Sequence, residues 1–306
     1  MFAELHALSS FSFLTGASQP DELVWQAASE GYAALAITDE CTLAGVVRAH
    51  QAAREAGLHL IIGSRMTLTD GTRVVLLVTD RAAYANLSTL ITAARRDSPK
   101  GEYQVSPALL ATHADGLLCL WRPGWEAERA DQQLTMLKSH FHERLWLACE
   151  LHQDGDDVAQ YQYLLRLANH HALPMVASND VHMHSPARQP LQDVLTALRH
   201  RTTVAELGQR RFANGERHLR SLARLRQLYP QALLTESLHI ARRCTFSLDE
   251  LRYQYPDEVV PAGMTPAAWL RQLTEEGAAR RWPEGVPDKV RALIEKELAL
   301  IRELDY

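Results

Sequence analysis

The chain has 306 residues, of which 46% are hydrophobic and 23% charged, and its formal net charge is −5. This length excludes a minimal scaffold, and no apolar run approaches the ~20 residues that a membrane-spanning helix requires. A net negative charge also excludes a uniformly basic nucleic-acid-binding surface. We therefore predict a globular protein with no membrane partner.

The four cysteines are scattered, and none belongs to a CxxC pair, so neither a disulfide framework nor a thiolate zinc site is predicted. The first ten residues place no Lys or Arg ahead of an apolar core, which is not the pattern of a secretory signal. Both observations favour a reducing cytoplasm.

Short apolar runs alternate with longer amphipathic segments up to about residue 200, which is typical of βα units. Runs such as ALAIT and VVLLV lack polar alternation, which indicates strands of a parallel sheet covered on both faces. A barrel and a doubly wound sheet both fit this pattern. The predicted strands are 3–8, 34–38, 60–63, 74–79, 117–121, 145–149 and 175–178, and the predicted helices between them are 21–30, 43–56, 82–95, 126–140 and 158–170.

After about residue 230 the strand-like runs give way to helical segments, at 264–282 and 288–304. We therefore predict two domains, 1–230 and a helical extension at 231–306. The last helical pattern reaches the final residue without a Gly or Pro stop signal, and from this we expect a chain cut from a longer protein.

Polar residues of one chemical type follow several predicted strands. Parallel α/β folds collect function at these strand ends. Imidazoles and carboxylates in one place are typical ligands of divalent metals, and residues two apart in an extended segment share a face. The candidates are His6, Asp39, Glu40, Asp180 and His182, with Arg65 following the third strand.

Eight arginines but only two glutamates lie between residues 199 and 226. Two interpretations are open for this stretch. It is either a solvated helical face or a phosphate-facing surface, since Arg forks suit phosphate. Under the second interpretation the predicted DNA-facing residues are Arg210, Arg211, Arg217 and Arg220.

Several motifs together resemble the polymerase-and-histidinol-phosphatase (PHP) domain that opens bacterial C-family DNA polymerases, and within them the error-prone branch used in damage-induced translesion synthesis. The similarity spans essentially the whole chain. The motifs are AELHALSSFSFLTGAS at 3–18, ALAITDECTLAGVVRA at 34–49, AYANLSTLIT at 83–92, LPMVASNDVH at 173–182, GERHLRS at 215–221 and CTFSLDELRYQYPDEVVP at 244–261.

The resemblance implies a distorted seven-stranded (β/α) barrel, TIM-like, followed by a helical extension that leads to the polymerase palm. It also implies Mg²⁺ and a DNA primer-template as cofactor and partner of an intact polymerase, together with translesion-synthesis accessory proteins. The palm carboxylates of the family have no counterpart in this sequence. We therefore expect no catalytic residue for nucleotidyl transfer and no cofactor in this chain.

The resemblance also implies a metal site, carried over position by position. His6, Asp39, Asp180 and His182 match ligands of the family, and Glu40 stands where a histidine is expected. The expected ligands are replaced at four positions, which are Leu8, Arg65, Arg73 and Pro123.

Arg65 places a permanent cation where the family has a carboxylate. A unit positive charge ~5 Å from a divalent ion costs roughly 7 kcal/mol at an effective dielectric of ~20. We therefore predict a weak or empty metal site, in which Arg65 forms ion pairs with Asp39, Glu40 and Asp180. The predicted role of the barrel is a non-hydrolytic scaffold.

Two other functions stay open. One is a metal-dependent phosphoesterase or proofreading 3′–5′ nuclease with Zn²⁺ or Mn²⁺ at the candidate ligands, where His184 could supply a replacement nitrogen. The other is a free-standing interaction module for translesion-synthesis proteins.

Overall fold

The computed structural model describes residues 1–251 and 260–304. The chain divides into two compact units, Met1–Leu251 and Arg252–Tyr306. Within the described residues no helix is long and apolar enough to cross a membrane. The motif quoted for residues 244–261 lies partly outside the described residues, at 252–259.

The first unit is built on a seven-stranded sheet whose spatial order follows the chain. Each strand is apolar because one side faces the barrel interior and the other faces the surrounding helices. The fold is therefore the predicted α/β barrel. The strands are β1 Ala3–Ala7, β2 Ala34–Ile37, β3 His59–Thr67, β4 Arg73–Val78, β5 Leu117–Trp121, β6 Leu145–Cys149 and β7 Met175–Ala177.

The prediction of an all-parallel sheet is wrong at one strand, because β4 runs antiparallel to both β3 and β5. Only residues 68–72 join β3 to β4, and a parallel crossover needs a dozen or more residues. The turn is closed by a hydrogen bond from the Leu68 amide to the Thr72 carbonyl (2.8 Å). Gly71 occupies its left-handed position, with φ +82°.

The segment after β7 returns to β1 and closes the barrel. Val181 forms a parallel bridge with Ala7. The Val181 amide donates to the His6 carbonyl (2.9 Å), and the Leu8 amide donates to the Val181 carbonyl (2.8 Å). These bonds bring the residues that follow the first and last strands together.

Helices cover the outside of the barrel, and their apolar faces form the outer core with one face of the strands. The predicted helices all form, within a few residues of the expected ends. The helices of the first unit are α1 Pro20–Ser29, α2 Val46–Ala56, α3 Arg81–Arg96, α4 Pro107–Ala111, α5 Ala127–Phe141, α6 Asp157–His171, α7 Gln189–His200, α8 Leu222–Leu228 and α9 Gln231–Arg243, and those of the second are α10 Pro266–Arg281 and α11 Asp288–Glu303. The helices α4, α7 and α8 lie outside the predicted ranges.

Helix α9 packs on the barrel, although its sequence belongs to the predicted helical extension. Ile240 and Ala241 join the inner core, and the Ser237 hydroxyl accepts a hydrogen bond from the Ala3 amide (3.1 Å). The predicted domain boundary after residue 230 stays a prediction, while α9 belongs to the compact unit that contains the barrel.

Candidate functional site

Charged side chains collect at one end of the barrel, where the six parallel strands end and β4 begins. We call this end the mouth. A cavity of about 50 Å³ opens there. The charged residues at this end, the mouth cluster, are His6, Glu40, Arg65, Arg122, Glu150, Asp180, His182 and Arg217.

A bulge in β1 aims His6 into the mouth. The pairing of β1 with β2 shifts register between Glu4 and Ala7. The Glu4 carboxylate accepts hydrogen bonds from the amides of Leu5 and His6, both at 3.1 Å. The His6 ring then lies with Nδ1 2.9 Å from Glu150 Oε1, and Nε2 3.4 Å from Asp180 Oδ1.

Asp180 is the central carboxylate of the mouth. Its backbone adopts φ +43°, so the residue turns inward just before Val181 pairs with β1. Its carboxylate contacts Arg217 and also lies 3.1 Å from His182 Nε2 and 3.6 Å from Arg65 Nη1. Burial raises the pKa of Asp180, but Arg217 and the two histidines outweigh it and hold the pKa well below its usual value. The carboxylate is therefore ionised.

His182 contacts the same carboxylate oxygen of Asp180 as His6 does. Its Nδ1 lies 3.1 Å from the Thr15 carbonyl, which can only accept, so this nitrogen carries a proton. Burial lowers the pKa of His182 despite the neighbouring Asp180. Two imidazole Nε2 atoms, from His6 and His182, thus face one oxygen of Asp180.

Arg65 forms two of the three predicted ion pairs. Its Nη2 lies 2.6 Å from Glu40 Oε2, and its Nη1 reaches Asp180. Tyr103 donates to the other oxygen of Glu40 (2.8 Å). Burial raises the pKa of Glu40, but Arg65 and the Tyr103 hydrogen bond bring it below its usual value.

Asp39 does not pair with Arg65, and that part of the prediction is wrong. Its carboxylate accepts three hydrogen bonds, from the Ser9 amide (2.7 Å) and from the hydroxyls of Ser9 and Ser12 (both 2.6 Å). Burial raises its pKa. A Cβ at Gly45 would lie 2.9 Å from Asp39 Oδ2, so glycine leaves room for this arrangement. Asp39 orders the loop after β1 and is not a member of the mouth cluster.

Sequence reasoning missed Glu150 and Arg122. Glu150 directly follows β6, and its Oε2 lies 3.1 Å from Arg122 Nε. Burial raises the pKa of Glu150, but Arg122 and His6 lower it to about 2. The strand-end rule that selected Asp39 would have found Glu150 in WLACELH.

The other three positions at which the sequence predicts a replaced ligand, Leu8, Arg73 and Pro123, do not lie together in the mouth cluster. Along β5, Leu118 and Leu120 face the inner core, so the next inward residue is Arg122 rather than Pro123. Pro123 lines a second cavity outside the mouth. Leu8 is fully buried. Arg73 is exposed at the rim and lines both cavities.

The arginine-rich stretch does not present the predicted set to solvent. Arg220 is completely buried, so it cannot face DNA in this fold. Arg217 contacts Asp180, and its guanidinium lies 4.5 Å from the centre of the Phe212 ring. The charge of Arg217 is therefore paired inside the mouth. Arg211 is exposed but pairs with Asp193 (2.9 Å), and Arg210 is exposed.

A divalent metal does not fit the mouth cluster. Among residues 1–251 and 260–304, no three or more His, Cys, Asp or Glu side chains are arranged to hold a metal ion. Guanidinium groups of Arg65, Arg122 and Arg217 already contact the carboxylates that would ligate it. The replacement candidate His184 bonds to the Ser18 hydroxyl instead, with Nδ1 2.8 Å from Oγ.

A family model described as the PHP domain matches residues 4–172, more than half of the chain. The chain belongs to the PHP domain family. The resemblance predicted from the sequence motifs is therefore confirmed. In this PHP domain the matched residues contain the first six strands, apart from the first residue of β1, and five mouth residues, which are His6, Glu40, Arg65, Arg122 and Glu150.

Long polymerases contain a region similar to this PHP domain. An error-prone DNA polymerase of Pseudomonas aeruginosa is 53% identical over 305 residues, and one of Methylococcus capsulatus is 54% identical over 307; each match covers 100% of this chain and 29% of the relative. The chain thus spans less than a third of the length of these relatives. The chain is also similar to the structure of an amidohydrolase from Chromobacterium violaceum, with 16% identity and a TM-score of 0.46. The match covers 60% of this chain and 88% of the amidohydrolase chain.

Proposed function

We propose that the chain is the PHP barrel of an error-prone DNA polymerase and that this barrel is a non-hydrolytic scaffold for the polymerase core. The similarity to error-prone polymerases over the whole chain supports the first part. The second part depends on one observation, which is that arginines contact the carboxylates of the mouth cluster.

The energetic argument is electrostatic. One guanidinium ~5 Å from a divalent ion costs roughly 7 kcal/mol at an effective dielectric of ~20. Three such groups lie at the mouth, and the three carboxylates that they contact, Glu40, Glu150 and Asp180, have pKa values held below their usual range. The arginines therefore supply the positive charge that ions would otherwise bring.

Metal analysis tests this proposal directly. Purified, untreated chain should carry less than one equivalent of Zn, Mn and Fe together. The variant Arg65→Glu removes one cation and adds one carboxylate, so Mn²⁺ or Zn²⁺ should raise its melting temperature but leave that of the unchanged chain where it is. Arg81→Glu, on the exposed start of α3, is the control for added negative charge. Two or more ions per unchanged chain would refute the scaffold.

The alternative is a metal-dependent phosphoesterase or 3′–5′ nuclease, with Zn²⁺ or Mn²⁺ as the cofactor. One observation favours it, since the Nε2 atoms of His6 and His182 both face Asp180 Oδ1. Arg65 and Arg217 would have to leave this carboxylate before a metal could bind. Hydrolysis of bis(p-nitrophenyl) phosphate that is lost in both Asp180→Ala and His182→Ala would establish this alternative.

The partners belong to the intact enzyme in this proposal. A primer-template and Mg²⁺ would be bound by polymerase parts that the chain does not contain, in the cytoplasm. Of the arginines predicted to face DNA, Arg210 and Arg211 keep exposed side chains. Translesion-synthesis accessory proteins stay a prediction.

A further inference from the structure

A second cavity, of about 520 Å³, lies beside the mouth, and its size is that of a typical ligand site. It is larger than the mouth cavity and lies between the β3–β4 turn, the end of β5 and the start of α5. We call it the Trp125 groove. Its lining residues include Gly71, Arg73, Arg122, Trp125, Arg129 and Gln133.

Three arginines line this groove from three different elements. Arg73 and Arg122 are neighbours in the sheet, joined by a hydrogen bond from the Arg122 amide to the Arg73 carbonyl (3.4 Å). Arg129 crosses from α5 to donate to the Asp70 carbonyl. A Cβ at Gly71 would meet the Arg129 guanidinium, so glycine leaves room for this position of the arginine. One carboxylate residue, Glu126, lines the groove beside them.

The three arginines differ in whether their guanidinium groups are paired with a carboxylate. Arg122 is paired with Glu150 in the mouth cluster. Arg73 and Arg129 are exposed, and within the described part of the chain neither forms an ion pair. Two guanidinium groups are therefore available to an anion that enters the groove.

Trp125 gives the groove an aromatic wall. It is 59% exposed, and the Tyr163 ring supports it with a centroid distance of 5.5 Å. The Tyr163 hydroxyl donates to the Gly124 carbonyl (3.0 Å), which fixes the loop. On the groove wall, Gln133 is 93% buried and its amide bonds to no other described residue. The amide atoms themselves are open to the cavity, so they can bond to a ligand that enters it.

We propose that the Trp125 groove binds single-stranded nucleic acid. Arg73 and Arg129 hold a backbone phosphate, because Arg forks match phosphate geometry. A base stacks on Trp125, and the Gln133 amide supplies a hydrogen bond. An acidic peptide would satisfy the arginines but would leave the aromatic wall unused. The inference goes beyond the proposed scaffold function, since it needs neither a metal nor an inert mouth.

The test uses the 306-residue chain and a fluorescent oligothymidylate of about twelve nucleotides, a length within single-strand site sizes. Anisotropy titrations between about 50 and 200 mM salt give the slope of log K against log salt. Arg73→Gln and Arg129→Gln should each reduce that slope by about 0.7. Trp125→Ala should weaken binding roughly five- to 150-fold, which corresponds to the stacking energy of one base. Melting curves for each variant verify folding.

The control is Arg81→Gln, because Arg81 lies beyond the opposite end of β4 from Arg73 and is also exposed. It should leave both affinity and slope unchanged. If the groove variants behave like this control, the site is excluded. Competition by polyglutamate as effective as that by unlabelled oligothymidylate, with no effect of Trp125→Ala, would instead indicate an acidic protein partner and overturn the proposal. Metal content is measured separately, so failure of the scaffold function would not affect this result.

Discussion

Two groups of buried charge lie side by side in the barrel unit, and they use neighbouring residues of the same segments. Glu4 and Asn179 belong to a network around Arg220, whereas His6 and Asp180 belong to the mouth cluster. Both groups combine arginine with carboxylates and other polar side chains, but the arginines of the two groups form different kinds of contact.

Arg220 acts as a hydrogen-bond hub. Its guanidinium donates to Asn179 Oδ1 and the Leu151 carbonyl, both at 2.8 Å, and its Nε lies 3.0 Å from Glu216 Oε2. It thus ties the segments after β6 and β7 to the loop before α8. The mouth arginines mainly contact carboxylates and are partly exposed, at 20% for the Arg65 side chain against 0% for Arg220. Arg220 therefore stabilises the fold by linking three segments, whereas the mouth arginines neutralise the charge of the mouth carboxylates.

Removing Arg220 should have the largest effect of the changes compared below. Arg220→Met leaves Glu216 without its cation and two buried acceptors without their donor, and breaking such a buried set typically costs 3–5 kcal/mol. We expect a loss of this size in the free energy of unfolding, measured with urea. Arg226→Met, at an exposed position six residues later, should change it by less than about 0.5 kcal/mol. Equal stabilities for the two variants would remove the distinction between hub and neutralising arginine.

The stability of the protein should fall in acid because His152 is buried between the Arg220 network and the mouth cluster. His152 Nε2 donates to the Asn179 carbonyl (2.9 Å), and burial, aided by Arg217, lowers the pKa of His152 from 6.5 to about 4. Above pH 6.5 the ring is neutral in both states and contributes nothing. As the pH falls from 6.5 to 4, only the unfolded chain takes up the proton, so stability falls by roughly 3 kcal/mol.

The variant His152→Gln should therefore lose less stability between pH 7 and pH 4 than the unchanged chain does. Urea unfolding at several pH values gives the two curves. His239→Gln, at an exposed position on α9, is the matched control and should keep the original pH dependence. Parallel curves for His152→Gln and the unchanged chain would show that this ring is not held neutral by burial.

Sequence periodicity was sufficient for the elements but not for their direction. Apolar runs and amphipathic spacing locate strands and helices because they record which faces are buried. The direction of β4 depends instead on the length of one connection. Residues 68–72 are too few for a crossover, and that rule was available from the sequence alone.

The strand-end rule placed His6, Glu40 and Asp180 correctly, since it follows from sheet geometry. It failed for Asp39, whose carboxylate bonds to Ser9 and Ser12 and forms no ion pair with Arg65. Arg220 could not be placed from the sequence. The loop that carries it has no apolar period, and the two acceptors of its hydrogen bonds, Asn179 and Leu151, lie more than forty residues earlier in the chain.

A smaller effect is expected when Arg65 is removed. Arg65→Ala leaves Glu40 and Asp180 close together without their shared cation. We expect a loss of about 2 kcal/mol, below the range for fully buried pairs, because water reaches the rim. Arg73→Ala at the same rim is the control and should cost less than about 0.5 kcal/mol. A loss from Arg65→Ala as large as that from Arg220→Met would contradict the neutralising role.

The smallest change in the free energy of unfolding is expected for Tyr103→Phe, at the outer edge of the mouth. The Tyr103 hydroxyl donates to Glu40 Oε1 (2.8 Å) and accepts from the Thr67 amide (2.9 Å), so Tyr103→Phe should cost about 1 kcal/mol. Because Tyr103 and Arg65 share Glu40 as a partner, their effects should not add. A double-mutant cycle with Arg65→Ala should give a coupling energy of at least about 0.5 kcal/mol. Strict additivity would mean that Glu40 does not link the rim to the carboxylates inside.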